Sequence, residues 1–223
     1  MKFSTRIGAA LVGVFALAGP AAAQTPAAVV EDVQGKVSGA EFMDYVAPGK
    51  IIQLGPTGMV VLGYMKSCWR ETITGIGTVV VGAEESKVHL GEVKANKVKC
   101  DPAHSRLIDR EVGDSAATSF RGIDETGSTP RLTLYGLSPF FETSGRGKLV
   151  VERLDVKGER YDVNLAAASL LRRKFYDFAQ NGISLKPGGT YAASLGSNRT
   201  VFVVDRQAEA GPTPIIGRLV RLQ

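Results

Sequence analysis

The chain has 223 residues, 27 basic and 22 acidic side chains, a formal net charge of +5, and 44% hydrophobic against 7% aromatic residues. That length is enough to bury a core in one large or two small domains. The basic surplus is mild and spread along the chain, without the clustered Lys/Arg and stacking aromatics of a nucleic-acid surface, so nucleic acid is not an expected partner.

The first element is a leader. Lys2 and Arg6 form a short basic start, and an uncharged, mostly apolar run extends from Ile7 to Gly19. Pro20 breaks the run, and Ala21-Ala22-Ala23 supplies small residues. This layout predicts a signal peptide over residues 1–23, cleaved between Ala23 and Gln24. The run is shorter than the roughly 20 apolar residues that span a bilayer. Charges and glycines interrupt every later apolar segment, so no transmembrane helix is expected in the mature chain. The short, Ala-rich leader has a bacterial style, which predicts a periplasmic or secreted protein. Without Lys2 and Arg6 the charge surplus falls to about +3.

That compartment decides how Cys68 and Cys100 are read. An isolated cysteine pair in an oxidising environment is expected to bridge. A Cys68–Cys100 bridge would add roughly 3–4 kcal/mol in the chain-entropy model. No Cys-x-x-Cys redox motif is present.

From Val29 onward the pattern is strand-like. Val29, Val30, Val33 and Val37 surround a Gln34-Gly35 turn. Pro48-Gly49 precedes a strand at residues 50–54, and Gly55-Pro56-Thr57-Gly58 precedes one at residues 59–64. Residues 68–73 and 77–81 continue the series. Short β-branched runs between regularly spaced Gly and Pro predict a roll, sandwich or barrel over residues 24–100. Residues 101–130 are rich in charged and small side chains and poor in large apolar ones, which predicts a linker or extended connection between two domains. Strand signals resume at Arg131 and recur at residues 140–141, 148–151, 160–165, 201–204 and 217–222. Leu171, Phe175 and Phe178 fall at i, i+4 and i+7, which predicts one short helix near residues 169–181, stopped by Asn181-Gly182.

Two resemblances follow from these residues. Val33-Gln34-Gly35-Lys36-Val37, Val46-Ala47-Pro48-Gly49-Lys50-Ile51 and Thr57-Gly58-Met59-Val60-Val61-Leu62 make the first part similar to the exported FecR-type β domain. Lys50 stands where that family has an acidic residue, and the cysteine pair is additional. Ser138-Pro139-Phe140 and Leu185-x-Pro187-Gly188-x-x-Tyr191 make residues 131–223 resemble an Ig-like or fibronectin-like sandwich, with the helix as a departure. The resemblances imply a mainly β protein: a β-roll or barrel followed by an Ig-like β-sandwich with one short helix. They also imply binding or signal transmission. The FecR regulators carry a cytoplasmic segment and a membrane helix, neither of which is expected in this chain, so direct control of a cytoplasmic sigma factor is not implied.

Motifs that carry chemistry are few in this chain. Cys100, Asp101 and His104 are too few and too irregular for a zinc site, and His89 reads as a surface strand residue. No Gly-x-Ser-x-Gly elbow fixes a nucleophile. Gly75-Ile76-Gly77 is followed by Thr78-Val79-Val80-Val81, so it reads as a hairpin turn and not a phosphate loop. Asp109, Glu111 and Asp114 read as solvated surface. Arg172, Arg173 and Lys174 are candidates for contact with an acidic partner, and Trp69 for ligand stacking or packing on the bridge. No catalytic residue, metal site or cofactor is expected. The expected function is binding or scaffolding of an envelope protein or polymer. The alternatives are an envelope-polymer hydrolase using Asp101, His104 and Asp109, and a sensor relaying an envelope signal to a membrane partner.

Overall fold

The computed structural model describes residues 24–103 and 132–222. The leader, the final residue and most of the expected linker, with His104, Asp109, Glu111 and Asp114, lie outside the described residues.

The strands of the first part are β1 (Ala28–Gln34), β2 (Val37–Ser38), β3 (Tyr45–Val46), β4 (Ile51–Leu54), β5 (Met59–Tyr64), β6 (Trp69–Thr74), β7 (Gly77–Val80), β8 (Lys87–His89) and β9 (Glu92–Lys97). Those of the second are β10 (Thr133–Gly136), β11 (Phe140–Thr143), β12 (Gly147–Arg153), β13 (Arg160–Leu165), β14 (Phe175–Asp177), β15 (Thr190–Leu195), β16 (Asn198–Glu209) and β17 (Leu219–Leu222). Short 3₁₀ turns occur at Ala167–Ser169 and Ile215–Gly217. The protein is mainly β, as the sequence implies.

Four open sheets result, with orders β3-β1-β5-β6-β9, β2-β4-β7-β8, β10-β16-β15-β12-β13 and β14-β11-β17. None of them closes into a barrel, which removes the barrel form of the first part. Pairing is antiparallel except at β10/β16 and β11/β17, which are parallel.

Side-chain alternation stacks these sheets. Ala28 and Val30 of β1 join Val60, Leu62, Tyr64 and Ile73 in a core shared with Ile52, Leu54 and Val79 of the four-stranded sheet. Phe141, Tyr176, Val220 and Leu222 of the three-stranded sheet pack on Leu149, Val151, Tyr191 and Phe202 of the second five-stranded sheet. The alternate residues Val29, Phe140, Phe175 and Leu219 meet in a third core with Met43, Met65, Cys68, Cys100, Ile215 and Ile216. The two parts of the chain therefore share a buried seam. The three-stranded sheet, and the first five-stranded sheet at β1 and β5, are covered on both faces.

The expected helix over residues 169–181 is replaced by a turn and strand. Arg172 and Arg173 have φ of 46° and 61°, in the left-handed region, and Leu171 bridges antiparallel to Phe175. The apolar residues that suggested a helical stripe serve two layers instead. Phe175 enters the seam, whereas Tyr176 and Phe178 enter the second core. Backbone pairing with β11 at Phe140↔Asp177 and Glu142↔Phe175 secures this arrangement against the local helical preference.

Candidate functional site

The seam is polar as well as apolar, and most of its charged groups are committed to holding the fold. Glu31 is buried. One of its oxygens accepts the Ile216 N–H at 2.8 Å, and the other pairs with Arg70 Nε at 2.7 Å. Tyr45 donates to Glu142 at 2.7 Å, and Arg221 Nε donates to the same oxygen at 2.9 Å, with its guanidinium 5.2 Å from the Tyr45 ring centroid. Arg172 pairs with Glu41 at 2.7 Å and Asp44 at 2.8 Å, and donates to the Phe42 carbonyl.

Beside these contacts a crevice of about 310 Å³ opens between the two parts. Lys97, Val98 and Lys99 line one wall, and Tyr135, Glu209, Thr213, Pro214 and Gly217 the other. The first wall is fixed by β9 pairing with β6, by the Val98 N–H donating to the Cys68 carbonyl at 2.9 Å, and by the Cys68–Cys100 disulfide. The second is fixed where the Leu137 N–H donates to the Glu209 carbonyl and Arg218 Nε to the Thr213 carbonyl, both at 2.8 Å. Gly217 is required at the floor, because a Cβ there would stand 2.6 Å from the Lys99 carbonyl oxygen.

The chemistry of this lining suits binding. Two lysines line one wall, and Glu209 and Tyr135, which carry a carboxylate and a phenol, line the other. Burial, and then the negative charges of Asp101 and Asp205, push the Tyr135 phenol above its ordinary pKa, so it stays protonated and can donate. Thr213, on the same wall, keeps its Oγ1 buried without a hydrogen-bond partner among the described residues. A groove of about 570 Å³ also runs beside β3, from Asp44 to Lys50 with Gln24. That groove is lined mostly by one turn. The seam crevice gathers charged groups from both parts, the usual location of a binding site.

The residues singled out from sequence fall elsewhere. Cys68 and Cys100 form the disulfide, with Cα atoms 5.6 Å apart. Trp69 is half-buried against the first core. Arg172 is engaged across the seam, while Arg173 and Lys174 are exposed beside it on a turn. His89 is exposed on β8, as read. Both carboxylate oxygens of Asp101 accept backbone N–H groups, from Ala103 and Thr133, each at 2.8 Å. Among the described residues, no three His, Cys, Asp or Glu side chains cluster as for a metal, and no helix is long and apolar enough to cross a membrane.

Sequence reasoning missed Lys97, Lys99, Tyr135, Glu209 and Thr213. The one local signal was Lys97-x-Lys99 running into Cys100. No family model matches the chain, and neither curated proteins nor solved structures match it significantly.

Proposed function

We propose that this is an exported envelope protein that binds another envelope component at the seam crevice and carries out no catalysis of its own. The observation that carries this reading is the crevice itself, charged on both walls and held by a disulfide on one of them. The disulfide is compatible with an oxidising compartment, and the leader supplies the route there. Within this reading the first part is FecR-like and the second Ig-like. The buried Leu185 and Tyr191 support the latter. Tyr191 Oη accepts the Lys186 N–H at 2.9 Å and lies 3.1 Å from the Lys186 carbonyl, a tyrosine-anchored turn of the kind found in such sandwiches.

The test places a photo-crosslinking residue at Tyr135 in the full chain and, as control, at exposed His89. In intact bacterial cells a discrete adduct is expected from position 135 and not from 89, on protein whose N-terminus is Gln24. Protein retained in the cytoplasm with Met1 and two titratable thiols, or equal crosslinking from both positions, would refute the reading.

A further inference from the structure

β9 is unusual among the strands. All six residues, Glu92 to Lys97, are exposed, and it forms one edge of the first five-stranded sheet. Its inner edge pairs with β6 in an unbroken register from Trp69↔Lys97 to Thr74↔Glu92. The Val98 N–H donates to the Cys68 carbonyl in the same register. Antiparallel ladders alternate. Glu92, Lys94 and Asn96 therefore direct their backbone groups toward β6, and Val93, Ala95 and Lys97 direct theirs outward. Among the described residues no strand meets that outward row. The strand then runs directly into the crevice through Val98 and Lys99.

We infer that this edge receives an extended, acidic segment of a partner protein by strand addition, whose end enters the seam crevice. The inference rests on the reading of that crevice as a binding site and names its partner. Backbone groups of Val93, Ala95 and Lys97 supply the ladder, the general route by which an exposed edge binds a peptide. Charge selects the occupant. Lys94, Lys97 and Lys99 outnumber the carboxylates of Glu92 on the strand and Glu209 on the crevice wall, so an acidic strand is attracted. A second copy would bring the same positive surplus to the edge. The lysines that guard the edge against self-association are thereby the ones that recognise the partner. Anchoring by the disulfide beyond one end of β9 keeps the edge extended before binding, which lowers the ordering cost.

Two labelled peptides test this on the full chain, one alternating Val and Glu and one alternating Val and Lys. The acidic peptide is expected to bind about tenfold or more tightly, to weaken with salt, and to slow amide exchange at Val93, Ala95 and Lys97. Ala95→Pro removes an outward N–H that the β6 ladder does not use, so it should weaken acidic-peptide binding about tenfold without changing the melting temperature appreciably. The pair Lys94→Glu and Lys97→Glu, which does not depend on tolerance of proline, should reverse the peptide preference. Equal binding of both peptides, undiminished binding by folded Ala95→Pro, or a homodimer that Ala95→Pro disrupts would overturn the inference. Loss of binding in Tyr135→Ala with full binding in Ala95→Pro would leave the crevice reading standing and remove strand addition. Undisturbed peptide binding in Tyr135→Ala with loss in Ala95→Pro would do the reverse, removing the crevice and retaining the edge.

Discussion

Arg218 and Asp177 carry opposite charges at 3% and 5% side-chain exposure, where an unpaired charge would be costly. Arg218 Nη1 donates to Asp177 Oδ1 at 2.6 Å and to the Ser138 carbonyl at 3.0 Å. Its Nη2 donates to Asp177 Oδ2 at 3.2 Å. The guanidinium also lies 5.5 Å from the Phe140 ring centroid. Asp177→Ala should therefore cost about 3–5 kcal/mol in urea unfolding, and Asp177→Leu combined with Arg218→Met much less. An equal loss in both variants would contradict this account. A second cluster sets the acid limit. Arg153 beside Asp155 holds that carboxyl down to about 2. Burial pushes Glu159 up, but hydrogen bonds from Tyr191, Arg153 and the Lys186 N–H outweigh it, and its pKa ends below the ordinary value. Both shifts are downward, so the stability they add is present above the ordinary carboxylate range near about 4 and is lost as pH falls toward about 2. The melting temperature should drop across that window, and Arg153→Met should flatten the drop. An unchanged slope in Arg153→Met would assign the acid limb to other groups.

At the scale of elements, the turn after Leu171 and the disulfide make the sharpest predictions. Arg173 occupies the left-handed region and is exposed, so Arg173→Gly should stabilise by about 0.5 kcal/mol, the relieved strain partly offset by glycine's entropy. Arg172→Gly gives up its contacts with Glu41 and Asp44 and should not share that gain. Cys68→Ser with Cys100→Ser should cost about 2–4 kcal/mol, measured by denaturant unfolding against the oxidised protein. These elements also show what the sequence could convey. β4 and β13 were legible because alternating residues and flanking turns set both ends. β9 was not, because Glu-Val-Lys-Ala-Asn-Lys has little β preference and no buried face. β14 was misread because a strand covered on both sides shows an apolar run that a helical spacing also fits. The candidate site was hidden for a different reason. Lys97 and Lys99 reach Tyr135 and Glu209 only through a ladder and a seam formed by distant residues, and spacing along the chain carries no trace of that.

For the whole molecule, the third core decides how the two parts behave. Val29, Met43 and Met65 pack with Phe140, Phe175 and Leu219, so neither part can open without exposing apolar surface on the other. Calorimetry should give a single transition whose van't Hoff and calorimetric enthalpies agree. Gly63 lies at this junction, and a Cβ there would stand 2.5 Å from Ile216 Cγ2 and 2.9 Å from Glu31 Oε1. Gly63→Ala should shift the whole transition by about 1–3 kcal/mol, as overpacking does, without splitting it. Two resolved peaks in the unaltered protein would show that the seam does not couple the parts.

The position of β17 carries a consequence for timing. Leu219–Leu222 fill the layer between the two parts and pair in parallel with β11, some 80 residues earlier in the chain. A nascent chain lacking this stretch would hold two sheets with uncovered oily faces, a species prone to aggregate or to bind a chaperone. Final closure must wait until residue 222 has been delivered.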